Sequence, residues 1–176
     1  MARALRVLFP GAIYHVCSRM LGNWGSERNL LFRHDEDRIR FLERLELAAV
    51  DFEVRLYLYC LMSNHFHLLV ETPHGNLSRF MQSINTAYTV YFNRRYQRHG
   101  HLMDGRYKAE LVAGDEYLLK LSRYIHLNPV AMTYWRNRPI KERKSRLRGY
   151  RWSSYRSYIG EEKGNEYLDM GVRQNS

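Results

Sequence analysis

Two histidines separated by a single residue are the clearest chemical feature of this sequence. His65 and His67 flank Phe66 within the apolar run of residues 64–70. Side chains in a β-strand alternate between faces, so residues i and i+2 point the same way. The two imidazoles are therefore expected to project together, in an arrangement that can hold a divalent metal. The pair alone is more typical of half-exposed surface histidines, so a metal site also requires a third ligand and a reacting group.

A predicted helix near residues 115–128 offers both. Tyr117 and Tyr124 are seven residues apart, about two helical turns, and Asn128 follows Tyr124 by four residues on the same face. A tyrosine hydroxyl beside a metal can attack a phosphodiester, and the amide oxygen of Asn128 can complete the metal site. Most of the 14 tyrosines are expected to pack or stack. Asn128 is also typical of a residue that caps a helix before a proline.

Hydrophobic periodicity predicts the element order β-α-β-β-α-β-α. The first six elements have the order of the split β-α-β, or ferredoxin-like, fold: an α+β antiparallel sheet with helices on one face. The predicted strands cover residues 12–20, 53–62, 65–71 and 106–113, and the predicted helices cover residues 35–50, 76–98 and 114–129.

Three details of these helices are testable against the structure. The first helix is expected to bury a stripe that includes Ile39, Leu42, Leu45 and Ala49. Asn76 is expected to cap the second helix. The third helix is expected to end at Pro129, because proline disfavours a helical conformation in the residue before it.

The length of 176 residues predicts one domain with an extension. We expect a catalytic domain at residues 1–130, a basic extension packed on it at residues 131–160, and a flexible tail at residues 161–176. Cys17 and Cys60 have no metal-type spacing and are expected to be buried free thiols in a reducing cytoplasm. No apolar run approaches the roughly 20 residues that would span a membrane.

The charge of the chain favours a nucleic-acid partner. The net charge is +10, and residues 136–156 carry nine Lys or Arg and one acid, Glu142, among several aromatic residues. Cations neutralise phosphates and aromatic rings stack on bases, whereas a membrane surface would require a continuous apolar helical face. Trp152 is also a candidate anchor of the extension on the core. The DNA-binding candidates are Arg94, Arg95, Arg98, Arg106, Lys108, Arg136, Arg138, Lys141, Arg143, Lys144, Arg146, Arg148, Arg151 and Trp152.

Three segments together resemble a known family. Residues 64–70 (NHFHLLV), 105–108 (GRYK) and 124–130 (YIHLNPV) resemble the single-tyrosine HUH transposases, and most closely the IS200-like, REP-associated tyrosine transposases of bacteria. The resemblance extends over roughly residues 11–160. It implies a ferredoxin-like fold with the histidines on a central strand, and a cytoplasmic, nucleoid-associated protein.

The resemblance also implies roles for individual residues. His65, His67 and Asn128 would bind Mg²⁺ or Mn²⁺. Tyr124 would be the nucleophile that takes a 5′ phosphate and releases a 3′ hydroxyl. Tyr117 is the second candidate, because helix boundaries predicted from sequence carry an error of a few residues. The implied substrate is single-stranded DNA with a hairpin.

Other functions remain open at this stage. A hairpin-binding protein that no longer cuts DNA would have no need of the complete set of metal and tyrosine residues. A ferredoxin-like RNA-binding module would leave the histidine pair unexplained. A replication initiator or relaxase fits less well, because the chain is short and has no helicase-like region. The sequence does not decide between a monomer and a homodimer, nor does it give the DNA sequence recognised.

Overall fold

The computed structural model describes residues 8–22, 30–163 and 168. Its centre is a four-stranded antiparallel sheet in the order β2-β3-β1-β4. The strands are β1 (Ala12–Arg19), β2 (Arg55–Leu61), β3 (His65–Thr72) and β4 (Lys108–Leu111). This order is that of the split β-α-β fold, so the predicted α+β architecture is confirmed, with the histidine strand β3 in an interior position. The fourth strand is shorter than predicted.

Two helices cover one face of the sheet. They are α1 (Asp35–Asp51) and α2 (Leu77–Arg95). The ring of Phe41 in α1 lies 4.6 Å from that of Phe66 in β3 and 5.2 Å from that of Tyr88 in α2. All three rings are fully buried. This aromatic contact makes Phe66 part of the main core and leaves its neighbours His65 and His67 on the opposite face.

The buried face of α1 differs from the predicted stripe. Ile39 is 45% exposed, whereas Phe41 and Leu45 are fully buried. The cause is Asp37, whose carboxylate accepts hydrogen bonds from the hydroxyls of Tyr91 and Tyr96 at the end of α2. This buried contact turns the side of α1 that carries Asp37 inward, and Ile39 consequently faces outward.

The predicted cap of α2 is also different. Asn76 occupies the position before the first helical residue, but its side chain caps no backbone N–H there. Instead, the amide nitrogen of Asn76 donates to the carbonyl oxygen of Phe52 at 2.7 Å, which ties the start of α2 to the end of α1. The helix ends at Arg95, three residues before the predicted end.

Helix α3 (Asp115–Ala131) lies against the other face of the sheet, and Pro129 does not end it. Proline lacks the N–H that would bond the carbonyl of Ile125. The side-chain amide of Asn128 donates to the carbonyls of Tyr124 at 3.0 Å and Ile125 at 3.5 Å, and so replaces the missing donor. The prediction that α3 stops at Pro129 is therefore wrong by two residues.

The basic extension continues into three further helices and returns to the sheet. They are α4 (Thr133–Arg136), α5 (Ile140–Gly149) and α6 (Tyr155–Tyr158). The N–H of Leu61 donates to the carbonyl of Trp152 at 2.8 Å, and the N–H of Ser154 donates to the carbonyl of Tyr59 at 3.0 Å. The segment between α5 and α6 therefore pairs with the outer edge of β2, which is not open to another strand along this stretch.

The tail predicted at residues 161–176 falls largely outside the described residues. Leu168 is an exception: it forms a parallel bridge with Leu56 of β2 and is 8% exposed. Among the described helices, none is long and apolar enough to cross a membrane.

Candidate active site

The histidine pair lies on the face of the sheet that α3 approaches. His65 and His67 have their ring centroids 5.0 Å apart, with the rings nearly perpendicular. His67 is 4% exposed, and His65, at the start of the strand, is half-buried. The predicted projection of both imidazoles from one face is therefore observed.

Each histidine has one ring nitrogen engaged by the protein. Nδ1 of His65 lies 2.7 Å from the amide oxygen of Asn64, and Nδ1 of His67 lies 2.9 Å from Nε2 of His15. An amide oxygen only accepts, so Nδ1 of His65 carries the proton and Nε2 keeps its lone pair. Nε2 of His67 is buried and lacks a well-formed hydrogen bond within the described part of the chain. A buried imidazole nitrogen with an available lone pair is chemically suited to bind a metal.

Burial keeps both imidazoles neutral at physiological pH. Burial, with a smaller contribution from the charge of Arg19, lowers the pKa of His65 to about 4. Burial, followed by the proximity of His65 and His15, lowers the pKa of His67 to about 3, and a contact with Asn128 opposes this fall. Neutral imidazoles retain the lone pairs that coordinate a metal.

Helix α3 brings one of the two candidate tyrosines to the histidines. The ring of Tyr124 stands edge-on to His67 at 5.7 Å and to His15 at 6.2 Å between centroids. Its side chain is 54% exposed, so a strand of DNA can reach it. Tyr117 is 41% exposed and lies two turns earlier on α3. Ring contacts link Tyr124, rather than Tyr117, to the histidines in the described structure.

Asn128 lies on the same side of α3 and approaches the imidazole of His67 closely enough to favour its protonated form. The amide nitrogen of Asn128 is used by backbone carbonyls. Its oxygen therefore remains the atom able to coordinate a cation. Among the described residues, no group of three or more His, Cys, Asp or Glu side chains could hold a metal. The groups that the structure brings together here are the imidazoles of His65 and His67 and the amide of Asn128.

His15 belongs to the site although the sequence analysis did not select it. It lies on β1, where it is in register with Leu69 of β3 and Glu110 of β4. His15 and Cys17 are two residues apart on β1, so their side chains project from one face, as those of His65 and His67 do. Because Cys17 is in register with His67, His15 lies on the same face as the histidine pair.

The predicted DNA-binding residues between Arg94 and Lys108 fall in different surroundings. Lys108 is in register with Cys17, which in turn is in register with His67, so Lys108 lies on the same face of the sheet as the histidine pair. Arg95 instead forms ion pairs with Glu36 and Asp37 on the opposite face. Arg94 ends α2 beside Arg95, whereas Arg98 and Arg106 lie in the segment that connects α2 to β4.

Several cations of the extension are engaged within it. Acidic partners pair with Arg138, Arg148 and Arg156, and Arg146 lies over the rings of Trp135 and Tyr150. Trp152 is 8% exposed, under the guanidinium of Arg151 at 4.8 Å, which favours the role of anchor over that of base-stacking platform. The remaining predicted cations of this segment are Arg136, Lys141, Arg143 and Lys144.

The sequence pattern of a known family covers His65, His67, Tyr124 and Asn128. The pattern described as "Transposase IS200 like" matches residues 22–128, which is more than half of the chain. The chain belongs to the IS200-like transposase family. The match ends at Asn128, the last of the four residues predicted to do the chemistry. No curated protein matches this transposase in sequence.

One solved structure supports the fold of this transposase. The structure of a REP-associated tyrosine transposase bound to a REP hairpin is similar over 94% of this chain and 93% of that one. The TM-score is 0.71 and the sequence identity 13%. A candidate transposase from Deinococcus radiodurans R1 matches with a TM-score of 0.46 and 17% identity, covering 71% of this chain and 95% of that chain. The tRNA(His) guanylyltransferase of Saccharomyces cerevisiae matches with a TM-score of 0.47 and 12% identity, covering 96% and 86% of the two chains.

Proposed function

We propose that this IS200-like transposase is a metal-dependent endonuclease and strand transferase for single-stranded DNA. The observation that carries the proposal is the position of Tyr124. Its exposed ring faces the buried ring of His67 at 5.7 Å within one chain. The tyrosine that we propose as the nucleophile and the two neutral imidazoles are thus contributed by one copy of the chain.

His65, His67 and Asn128 would hold the cation. Both histidines have Nδ1 occupied by a protein partner, so Nε2 is the nitrogen available to it. Bound Mg²⁺ or Mn²⁺ would polarise a phosphoryl oxygen and favour the phenolate form of a nearby tyrosine. Imidazole ligands favour Mn²⁺ somewhat over Mg²⁺.

Tyr124 would exchange one phosphodiester for another. Its phenolic oxygen bonds to phosphorus while the bond from phosphorus to O3′ breaks. The phenol loses its proton, and the leaving O3′ gains one to become a 3′ hydroxyl. The 5′ phosphate then remains attached to Tyr124. Because a diester is replaced by a diester, the reverse attack by a 3′ hydroxyl rejoins DNA without a nucleotide triphosphate.

We infer that the DNA carries a hairpin held partly by the basic extension. The similar REP-associated transposase is bound to a REP hairpin, and this chain matches it over nearly its full length, extension included. The nine cations of residues 136–156 supply the charge that such a duplex stem attracts. Arg136, Lys141, Arg143 and Lys144 are the candidates for phosphate contacts, with Lys108 nearer the scissile phosphate.

The test is a covalent protein–DNA adduct that survives boiling in detergent. Labelled single-stranded hairpins from the sequence flanking the gene are incubated with the protein, with and without Mn²⁺. We expect a metal-dependent adduct that Tyr124→Phe abolishes. The matched control, Tyr117→Phe, removes a half-exposed hydroxyl from the same helix and should leave the adduct unchanged.

Two results would overturn parts of this proposal. Loss of the adduct in Tyr117→Phe instead of Tyr124→Phe would keep the chemistry and reassign the nucleophile. Tight, metal-independent hairpin binding with no adduct on any strand would reject the endonuclease and favour a DNA-binding protein that does not cut.

A further inference from the structure

We propose that His15, backed by Glu110, is a positioning residue that sets which nitrogen of His67 faces the metal. This inference rests on the proposed function, since it assigns a role toward the ion that His65 and His67 would hold. His15 lies on β1 and Glu110 on β4, so three adjacent strands contribute to one chain of contacts. No part of the transposase chemistry described above uses either residue.

The rings of His15 and His67 are joined edge to edge. Their planes differ by 16° and their centroids are 5.2 Å apart, while Nε2 of His15 lies 2.9 Å from Nδ1 of His67. Two nearly coplanar rings with so short an N···N distance share an in-plane hydrogen bond rather than a face-to-face stack. Both side chains are buried, with 8% and 4% of their surfaces exposed. Water therefore competes little for this bond.

The direction of this bond decides the tautomer of His67. An N···N hydrogen bond between neutral imidazoles contains one proton. If His15 donated it, His67 would carry its own proton on Nε2 and could not coordinate there. If His67 donates it, Nε2 of His67 keeps its lone pair.

Glu110 selects the second arrangement. Its carboxylate oxygen lies 3.8 Å from Nδ1 of His15, which favours a proton on that nitrogen. A neutral imidazole has one N–H, so Nε2 of His15 is left as an acceptor and must receive the proton of His67. The contacts that run from Glu110 through His15 to His67 thus favour a proton on Nδ1 of His67, against the opposing contact with Asn128, and fix the plane of the ring. Partners of this kind behind a metal-bound histidine orient it and raise its basicity.

Four variants of the full-length protein separate this role from simple packing. His15→Phe keeps a ring of similar shape but removes both nitrogens, whereas His15→Gln keeps an amide oxygen that can accept from His67. Glu110→Gln removes the charge of a side chain that is 63% exposed, so it does not threaten folding. The matched control is His74→Phe, because His74 and Glu53 form a similar pair, 3.0 Å apart, on the surface away from the site.

The first readout is the dissociation constant for Mn²⁺ in the absence of DNA. It is measured from the electron paramagnetic resonance signal of the unbound ion. We expect His15→Phe to weaken binding by about 10–100-fold. His15→Gln should restore most of the affinity, Glu110→Gln should weaken it by a few-fold, and His74→Phe should leave it unchanged. The second readout is the ¹⁵N spectrum of the metal-free histidines, in which His67 should carry its proton on Nδ1, and should lose that preference in His15→Phe.

The outcomes separate this inference from the proposed function. If the wild type binds Mn²⁺ and loses it in His67→Ala, but His15→Phe retains wild-type affinity, the positioning role is wrong and the metal site stands. A proton on Nε2 of His67 in the wild type would likewise overturn it. If the wild type binds no Mn²⁺ and forms no adduct, both proposals fail together.

Discussion

At the scale of single residues, neighbouring groups give similar side chains different roles. His65 and His67 share a strand face, yet one is oriented by an amide and the other by a second imidazole. Asn128 has two roles at once. Its amide nitrogen bonds carbonyls of α3, which allows the helix to pass Pro129, and this leaves its amide oxygen available toward His67.

Removing Asn128 should therefore affect both metal binding and stability. We expect Asn128→Ala to weaken Mn²⁺ binding at least tenfold and to lower the free energy of unfolding by about 1 kcal/mol, the usual value of a lost hydrogen bond. The measurements are Mn²⁺ titration and urea unfolding. Asn93→Ala is the control, because Asn93 also donates its amide to a backbone carbonyl, that of Gly100 at 2.9 Å. It should lose similar stability with no change in affinity. Equal Mn²⁺ affinity in both variants would remove Asn128 from the site.

At the scale of elements, Ser154 joins the extension to both β2 and α3. Its hydroxyl lies 3.0 Å from the N–H of Tyr59 and 3.0 Å from Nε2 of His126. His126 is buried between the rings of Tyr155 and Tyr158 in α6. The helix that carries Tyr124 is thus fixed to the extension only two residues from the tyrosine.

Ser154→Ala should loosen this junction. The buried N–H of Tyr59 and the ring of His126 would each lose a partner, and a buried group left without one costs about 1–3 kcal/mol. We expect the free energy of urea unfolding to fall within or above that range. Ser145→Ala, at an exposed position of α5, should change it by less than about 0.5 kcal/mol. Similarly small changes in the free energy of unfolding in the two variants would show that Ser154 does not hold the extension to β2 and α3.

At the scale of the whole molecule, the fold keeps four histidines buried or half-buried and neutral in a strongly basic protein. Burial lowers the pKa of His15, and lowers those of His65, His67 and His126 to about 4, 3 and 4. Between these values and about 6.5, where histidines of an unfolded chain titrate, the unfolded state binds more protons than the folded state. The free energy of unfolding must then decrease as the pH falls through this window.

We therefore expect acid to destabilise the protein already at pH values above the range in which carboxylates titrate. Between pH 7.5 and pH 5.5, the free energy of urea unfolding should decrease by at least about 1.4 kcal/mol, the equivalent of one pKa unit. A chelator keeps the protein free of metal during the measurement. His126→Gln should reduce the decrease, whereas the exposed His74→Gln should not. Equal stability at the two pH values would show that the histidines are not held neutral.

The amino-acid sequence by itself determined the local features of this transposase. Strand alternation was enough to put His65 and His67 on one face, and periodicity predicted the order of strands and helices along the chain. Those features depend on neighbours within a few residues. The sequence placed Tyr124 before Tyr117 only through a family resemblance, and it did not reveal His15, because contacts with the histidine pair depend on which strands and helices meet in space. The same applies to Ile39 and Pro129: contacts from α2 turned α1, and the side chain of Asn128 carried α3 past the proline. Only the tertiary structure brought groups from β1, β3, β4 and α3 together in one site.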